Sequence, residues 1–257
     1  MPGNDSKSWR AALRATLRRW NVRMPRGLKR SAGSRLQMAP LNTVRLGDLR
    51  CLQPVSREYG FDRGQPIDRY YIARFLAANA LHVKGRALEI GGDEYTRQFG
   101  AGRVTRSDIL NVNPGVPNTT FVADLTTGAG VPDAAFDCVI LTQTLNLIFD
   151  IPAAIRTLHR ILRPGGTLLL TVPGTISQIE HGEWRSTWYW GFTKLSLERL
   201  FAAKFPDACI AINEYGNVLA SIAFLEGLVA EEFTTAELDH RDELYPLLLG
   251  LRATKAP

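Results

Sequence analysis

Four residues stand at the ends of successive apolar runs: Gly91, Asp108, Asp124 and Thr142. A glycine at a strand end lets the backbone approach a ligand and presents amide donors where the next helix starts. A carboxylate at a neighbouring strand end can accept ligand hydroxyls, and Thr142-Gln143-Thr144 adds short polar groups. Farther along, His181 lies between Glu180 and Glu183, close to Trp184, Trp188, Tyr189 and Trp190. An imidazole flanked by carboxylates titrates near neutral pH and could take a proton from a hydroxyl, with Glu183 as the second candidate base. Plainer readings stand beside these. Gly91-Gly92 would serve an ordinary turn, Asp108 a helix N-cap, Asp124 a solvated turn and His181 an exposed loop. His159, inside a helical segment, reads as structural or solvent-facing.

The elements that must position these residues alternate in type. Strand-like runs are Ala87–Ile90, Arg103–Asp108, Phe121–Asp124, Phe136–Thr142 and, after the break Arg163-Pro164-Gly165-Gly166, Thr167–Val172. Helical patterns fall at 67–81, before Leu162, at Ser196–Lys204 and around Val218–Val229. Cys209–Asn213 and Tyr245–Ala253 read as two more strands. Apolar runs alternating with helices imply an α/β, doubly wound parallel sheet, which takes ligands at the carboxyl ends of its strands.

The 257 residues suit one domain with an appendage. Residues 1–50 hold 12 Lys/Arg against 2 acids, a balance of +10, whereas residues 51–257 hold 19 against 23, a balance of −4. The basic character therefore belongs to an N-terminal extension, and a nucleic-acid groove is not expected on the rest. Between Trp9 and Trp20 the apolar residues fall on one helical face and Arg10, Arg14, Arg18 and Arg19 largely on the other. Such a helix could lie at a membrane surface, cap the main domain, or belong to an organelle transit peptide. Cys51, Cys138 and Cys209 match neither a metal site nor a disulfide framework, and a cytoplasmic location, with peripheral membrane contact through the helix, is the expectation. No run is long enough to span a bilayer.

Leu88-Glu89-Ile90-Gly91, Phe136–Leu141 and Leu158-His159-Arg160-Ile161-Leu162-Arg163-Pro164-Gly165-Gly166-Thr167-Leu168 resemble the class I methyltransferases that use S-adenosylmethionine, in the branch usually called type 11. The likeness reaches back to Arg63–Tyr71 and forward through Trp188-Tyr189-Trp190-Gly191-Phe192-Thr193, covering about residues 55–255. The family's Gly-x-Gly-x-Gly turn is matched at Gly91 only, with Asp93 and Tyr95 at the other two positions.

The resemblance implies seven strands with the last inserted antiparallel, residues 51–257 as the catalytic domain, and S-adenosylmethionine as cofactor. Glu89, Gly91 and Gly92 would meet its amino-acid end, Asp108 with Ile109 its ribose, and Asp124 with Leu125 its adenine. Thr142 and Gln143 would face the sulfonium, Arg63 or Arg69 its carboxylate, and Tyr70 or Tyr71 would close the pocket; an Arg–Asp pair holding this segment onto the core is the plainer reading. The acceptor would be a small hydroxylated metabolite, a sugar or glycoconjugate. Thr-Gln-Thr-Leu after the fourth strand is not the Asn/Asp-Pro-Pro-Tyr/Phe motif of enzymes that methylate base amines. A nicotinamide-dependent oxidoreductase would want Gly-x-Gly-x-x-Gly, which is absent; a non-catalytic partner subunit of the same fold is the other alternative.

Overall fold

The chain is described by a computed structural model at residues 44, 46–179, 182, 185–206 and 209–257. The helix expected at Trp9–Trp20 lies outside these residues. The chain divides into two compact units, 1–53 and 54–257. In the first, a 3-10 turn is described at Gly47–Arg50. Everything below concerns the second.

Its elements in chain order are α1 (Ile67–Ala78), β1 (Gly85–Ile90), α2 (Glu94–Gly100), β2 (Val104–Asn111), β3 (Phe121–Val122), β4 (Phe136–Thr142), α3 (Ile151–Ile161), β5 (Leu162–Pro173), α4 (Lys194–Ala202), β6 (Ile210–Tyr215), α5 (Val218–Leu225), α6 (Thr235–Asp239) and β7 (Leu248–Thr254). The sheet runs β3-β2-β1-β4-β5-β7-β6. The first five strands are parallel, and β7 lies antiparallel to both β5 and β6. This is the doubly wound, mostly parallel seven-stranded α/β sheet expected, with its last strand reversed.

The two-residue period of the central strands divides the core into two layers. Leu88, Val139, Leu141, Leu168 and Leu170 point to one face and pack with Ile155 and Leu158 of α3 and Phe201 of α4. Ala87, Cys138, Ile140 and Leu169 point to the other and pack with Ile72 and Phe75 of α1 and Phe224 of α5. Burial pushes the Cys138 thiol up to about 12, so it stays a neutral apolar filler at neutral pH. Helix α1 comes so close to β7 that a Cβ on Gly250 would lie 2.4 Å from the Phe75 ring. Strand β5 starts earlier than the pattern predicts. The Arg163–Gly166 break is absorbed as a register shift between the Phe136–Leu162 and Cys138–Thr167 pairs. The Lys255 ammonium closes α3 by donating to the His159 and Leu162 carbonyls, each at 2.8 Å.

Helix starts follow local chemistry. The Asp150 carboxylate accepts from the Ala153 amide, and Thr193 forms a capping box with Ser196. The Asn217 oxygen accepts from the Ala220 amide at 3.0 Å, while its NH2 donates to the Glu237 and His240 carbonyls at 2.8 and 2.7 Å. One buried side chain thus caps α5 and holds the turn after α6. Asn217→Ala is expected to cost about 1 kcal/mol, the scale of a lost helix cap, since water can reach the two freed carbonyls. A urea melt checks this, and an unchanged midpoint contradicts it.

Candidate active site

The carboxyl ends of β1 to β5 and the loops above them enclose a cleft of about 1410 Å³. The end of β1 and the turn after it line the cleft. Glu89 is 3 % exposed, and its carboxylate accepts from the Tyr95 and Thr96 amides at 3.2 and 2.7 Å. Burial raises its pKa, with the hydrogen bonds from Thr96 acting in the opposite sense. Two first-turn donors of α2 are thereby occupied by the protein's own acid. Gly91 has φ +95, with open space where a Cβ would stand, so the backbone is bare towards the cleft.

The structure corrects the placement of Asp108. Strand β2 does not stop there; the apolar pair Ile109-Leu110 carries it on to Asn111, in register with Glu89 and Ile90. Asp108 therefore lies inside the sheet, 1 % exposed and outside the cleft lining. The Arg86 Nε donates to it at 2.7 Å, and Arg106 donates through Nε and Nη2 at 3.1 and 3.0 Å. The Arg86 guanidinium also lies over the Phe136 ring, 4.8 Å from its centroid. Ile109 is buried beside it and likewise does not reach the cleft. Asn111, Val112 and Asn113 line the cleft in their place.

Two further expectations move. Tyr71 is 1 % exposed, donates its hydroxyl to the Leu238 carbonyl at 2.8 Å and packs 5.9 Å from the Tyr215 ring, so it holds α1 to α6 away from the cleft. Arg63 pairs with Glu232 at 2.8 Å and is not among the cleft residues. Arg69 lines the cleft instead.

Glu89, Gly91, Gly92, Asp124, Leu125, Thr142 and Gln143 are brought together around the cleft. Asp124 turns one oxygen to the Thr126 amide at 2.7 Å, and Leu125 is buried beside it. Gln143 has φ +47, a left-handed conformation that a residue with a side chain rarely takes, and its amide donates to the Thr171 carbonyl at 2.8 Å. His181 and Glu183 lie outside the described residues; Ser177, Gly182, Thr187 and Trp188 around them line the cleft.

The lining is lopsided in charge. Glu58, Asp68, Glu89, Glu94, Asp124 and Asp150 face a single cation, Arg69, among the described residues. Two aromatic residues, Phe149 and Tyr189, line the cleft beside Trp190. Phe149 meets Tyr189 edge-on at 5.3 Å and Trp190 in a stacked arrangement at 5.9 Å, all three exposed. The Asn146 carbonyl accepts from both the Tyr189 and Trp190 amides, at 3.0 and 3.2 Å, and the Trp190 indole donates to the Ile148 carbonyl at 3.0 Å. Phe149 had gone unremarked in the sequence; its signal was an aromatic residue directly before the helix-capping Asp150. Asn111 and Asn113 were signalled by the apolar pair that continues β2 past Asp108.

Residues 65–204 match the family described as "Methyltransferase domain", more than half of the chain. Over 68 residues the chain is 37 % identical to the ubiquinone/menaquinone biosynthesis C-methyltransferase UbiE of Pasteurella multocida (strain Pm70). That match covers 26 % of this chain, which spans only a quarter, 25 %, of that protein's length. Among solved structures, a SAM-dependent methyltransferase from Archaeoglobus fulgidus superposes with TM-score 0.50 at 13 % identity, over 78 % of this chain and 95 % of that one. The N-methyltransferase NodS from Bradyrhizobium japonicum WM9, in complex with S-adenosyl-L-homocysteine, gives TM-score 0.49 at 13 % identity, over 76 % and 90 %. The family match over more than half of the chain, taken together with a seven-stranded sheet whose last strand is reversed, shows that the chain belongs to the class I S-adenosylmethionine-dependent methyltransferases.

Proposed function

We propose that the chain methylates a hydroxyl of a ring-shaped small molecule, a sugar or a sugar-bearing conjugate. The observation that carries this reading is the exposed pair Phe149 and Tyr189 in the cleft lining, with Trp190 stacked on Phe149. Aromatic faces suit the apolar face of a sugar ring, and each such contact contributes on the order of 1 kcal/mol. The similarity to a C-methyltransferase covers too little of that protein to carry over its acceptor.

The cleft fits the family's cofactor. An excess of carboxylates suits a sulfonium cation and disfavours a polyphosphate, which argues against a nicotinamide cofactor. The bare backbone at Gly91 leaves room for close approach. Asn111 and Asn113 would take the ribose hydroxyls, Asp124 and Leu125 the adenine, and Thr142 and Gln143 would border the reacting end. When bound, S-adenosylmethionine supplies an electrophilic methyl group. The protein's share is alignment and exclusion of water, which the aromatic group and the segment after β5 would provide. A hydroxyl acceptor must also lose its proton. His181, with Glu183 beside it, is proposed to accept that proton, because both flanks of their segment line the cleft.

Release of S-adenosylhomocysteine, measured against free and conjugated sugars, tests the reading. Phe149→Ala with Tyr189→Ala is expected to raise KM for the sugar about tenfold with kcat nearly unchanged, the loss of two stacking contacts. Turnover confined to amines, or cofactor binding without turnover on any acceptor, overturns it; the latter is the signature of the non-catalytic partner.

A further inference from the structure

We propose that the exposed aliphatic face of α5 is a lipid-contact surface, and that the sugar acceptor is a lipid-borne conjugate which the cleft reaches from a bilayer. The surface stands on its own observations; the acceptor rests on the sugar reading above and deepens it.

Helix α5, Val218-Leu219-Ala220-Ser221-Ile222-Ala223-Phe224-Leu225, has no charged residue, and its one polar side chain, Ser221, is buried. Ala220, Ala223 and Phe224 pack into the core. By the helical period Val218, Ile222 and Leu225 share one face, with Leu219 beside them, and all four are between 38 and 48 % exposed. A helix that is apolar all round belongs in an interior, yet half of this one faces outwards. Two more exposed side chains adjoin its start. The Asp242 amide donates to the Gly216 carbonyl at 3.0 Å, which brings the turn holding Leu244 and Tyr245 next to the beginning of α5.

Size and composition favour lipid over protein as the occupant. Stable protein interfaces take roughly 20–30 residues a side, with Tyr, Trp, Phe, Met and Arg enriched at their cores. Here six residues, five of them aliphatic, make a strip one short helix wide. Acyl chains accept such a strip without a matching shape, and the Tyr245 ring and hydroxyl suit the headgroup boundary.

Charge supplies a second attraction. Glu226 and Glu243 flank the strip in sequence, so by itself it favours neutral headgroups. Residues 1–50 carry a balance of +10. The chain that follows them enters this domain beside α5, where the Ser56 amide donates to the Glu226 carbonyl at 3.0 Å. A basic segment joined covalently to an apolar surface gives two weak anchors that act together on an anionic bilayer.

The strip is also continuous with the cleft. Phe224 lines the cleft from the inner side of α5, and so does Leu247, two residues after the exposed Tyr245. An acceptor whose apolar chain lies along α5 can therefore place its sugar in the cleft while the chain stays in lipid.

The test is flotation of the full chain with vesicles of dioleoylphosphatidylcholine, alone and with about a third of dioleoylphosphatidylglycerol, at low salt and in about 0.5 M NaCl, which screens the basic extension. Wild type should float with the mixed vesicles. Ile222→Gln with Leu225→Gln should weaken the partition at least about tenfold at both salt levels, since an apolar contact is not screened. Both positions are exposed, and an unchanged urea midpoint shows the fold intact. Leu244→Gln, on a turn and 83 % exposed, should weaken it about threefold without touching a helix. Whichever sugar is methylated, its dodecyl glycoside should have a KM at least about tenfold below that of its methyl glycoside. Wild type that does not float overturns the surface. So does a double variant that floats like wild type, which leaves lipid contact to residues 1–50. A wild-type dimer that the double variant breaks makes the strip an interface between copies and also overturns it. Equal KM values for the two glycosides overturn the lipid-borne acceptor. If a chain that floats methylates no sugar, the sugar reading fails and the surface stands.

Discussion

Asp108→Ala is expected to lower the stability of the fold by about 3 kcal/mol while leaving cofactor affinity of the folded protein within about twofold. Its carboxylate is 1 % exposed and holds two guanidinium groups across the β1–β2 edge. Breaking a buried charge pair by removing one partner costs about 3–5 kcal/mol, because the remaining charge is left uncompensated. The lower end applies here, since the Arg86 side chain is 21 % and the Arg106 side chain 58 % exposed, so both can recover water. Urea unfolding gives the first quantity and calorimetry with S-adenosylhomocysteine the second. A variant of wild-type stability with tenfold weaker binding would return Asp108 to the ribose.

The other large effect is expected at His181. Once an acceptor is identified, His181→Ala should lower kcat by about a hundredfold, the usual contribution of a positioned general base, with S-adenosylmethionine affinity nearly constant. The described lining offers no rival imidazole; Gln143 and Thr142, nearest the end of β4, are poor proton acceptors at neutral pH. The carboxylates that line the cleft are the alternative. A hydroxyl-methylating enzyme that keeps wild-type turnover without His181 would move the role to Glu183 or to one of them. The pH profile separates these cases: loss of an imidazole removes the limb near neutrality, and loss of a carboxylate does not.

Much of the fold was legible because the central strands are buried on both faces and read as continuous apolar runs. Phe136–Thr142 coincides with β4. Strand β2 shows where such reading loses precision. An aspartate after Arg106-Ser107 looks like a strand end, but a buried carboxylate can sit in mid-strand when two arginines pair with it, and one of these, Arg86, lies on the neighbouring strand. That pairing depends on register, which local sequence does not display. Tyr71 was misplaced for a related reason. Its place before the first strand suggested the pocket, but only the packing of α6 decides that its hydroxyl meets the Leu238 carbonyl. The charge of the cleft was likewise invisible, because the six acids among its described residues come from segments spread between Glu58 and Asp150.

The Asn146 carbonyl has a consequence for how such a protein can diverge. It ties the turn after β4 to the segment after β5 through two amides, using both lone pairs of one oxygen and no side chain. Acceptor and donors are all backbone, so the knot does not depend on the identity of the rings it supports. The loop between the end of β5 and Tyr189 can change in sequence while its far end stays fastened. Acceptor choice is therefore free to change by swapping the aromatic faces, on a mount that selection does not have to rebuild each time.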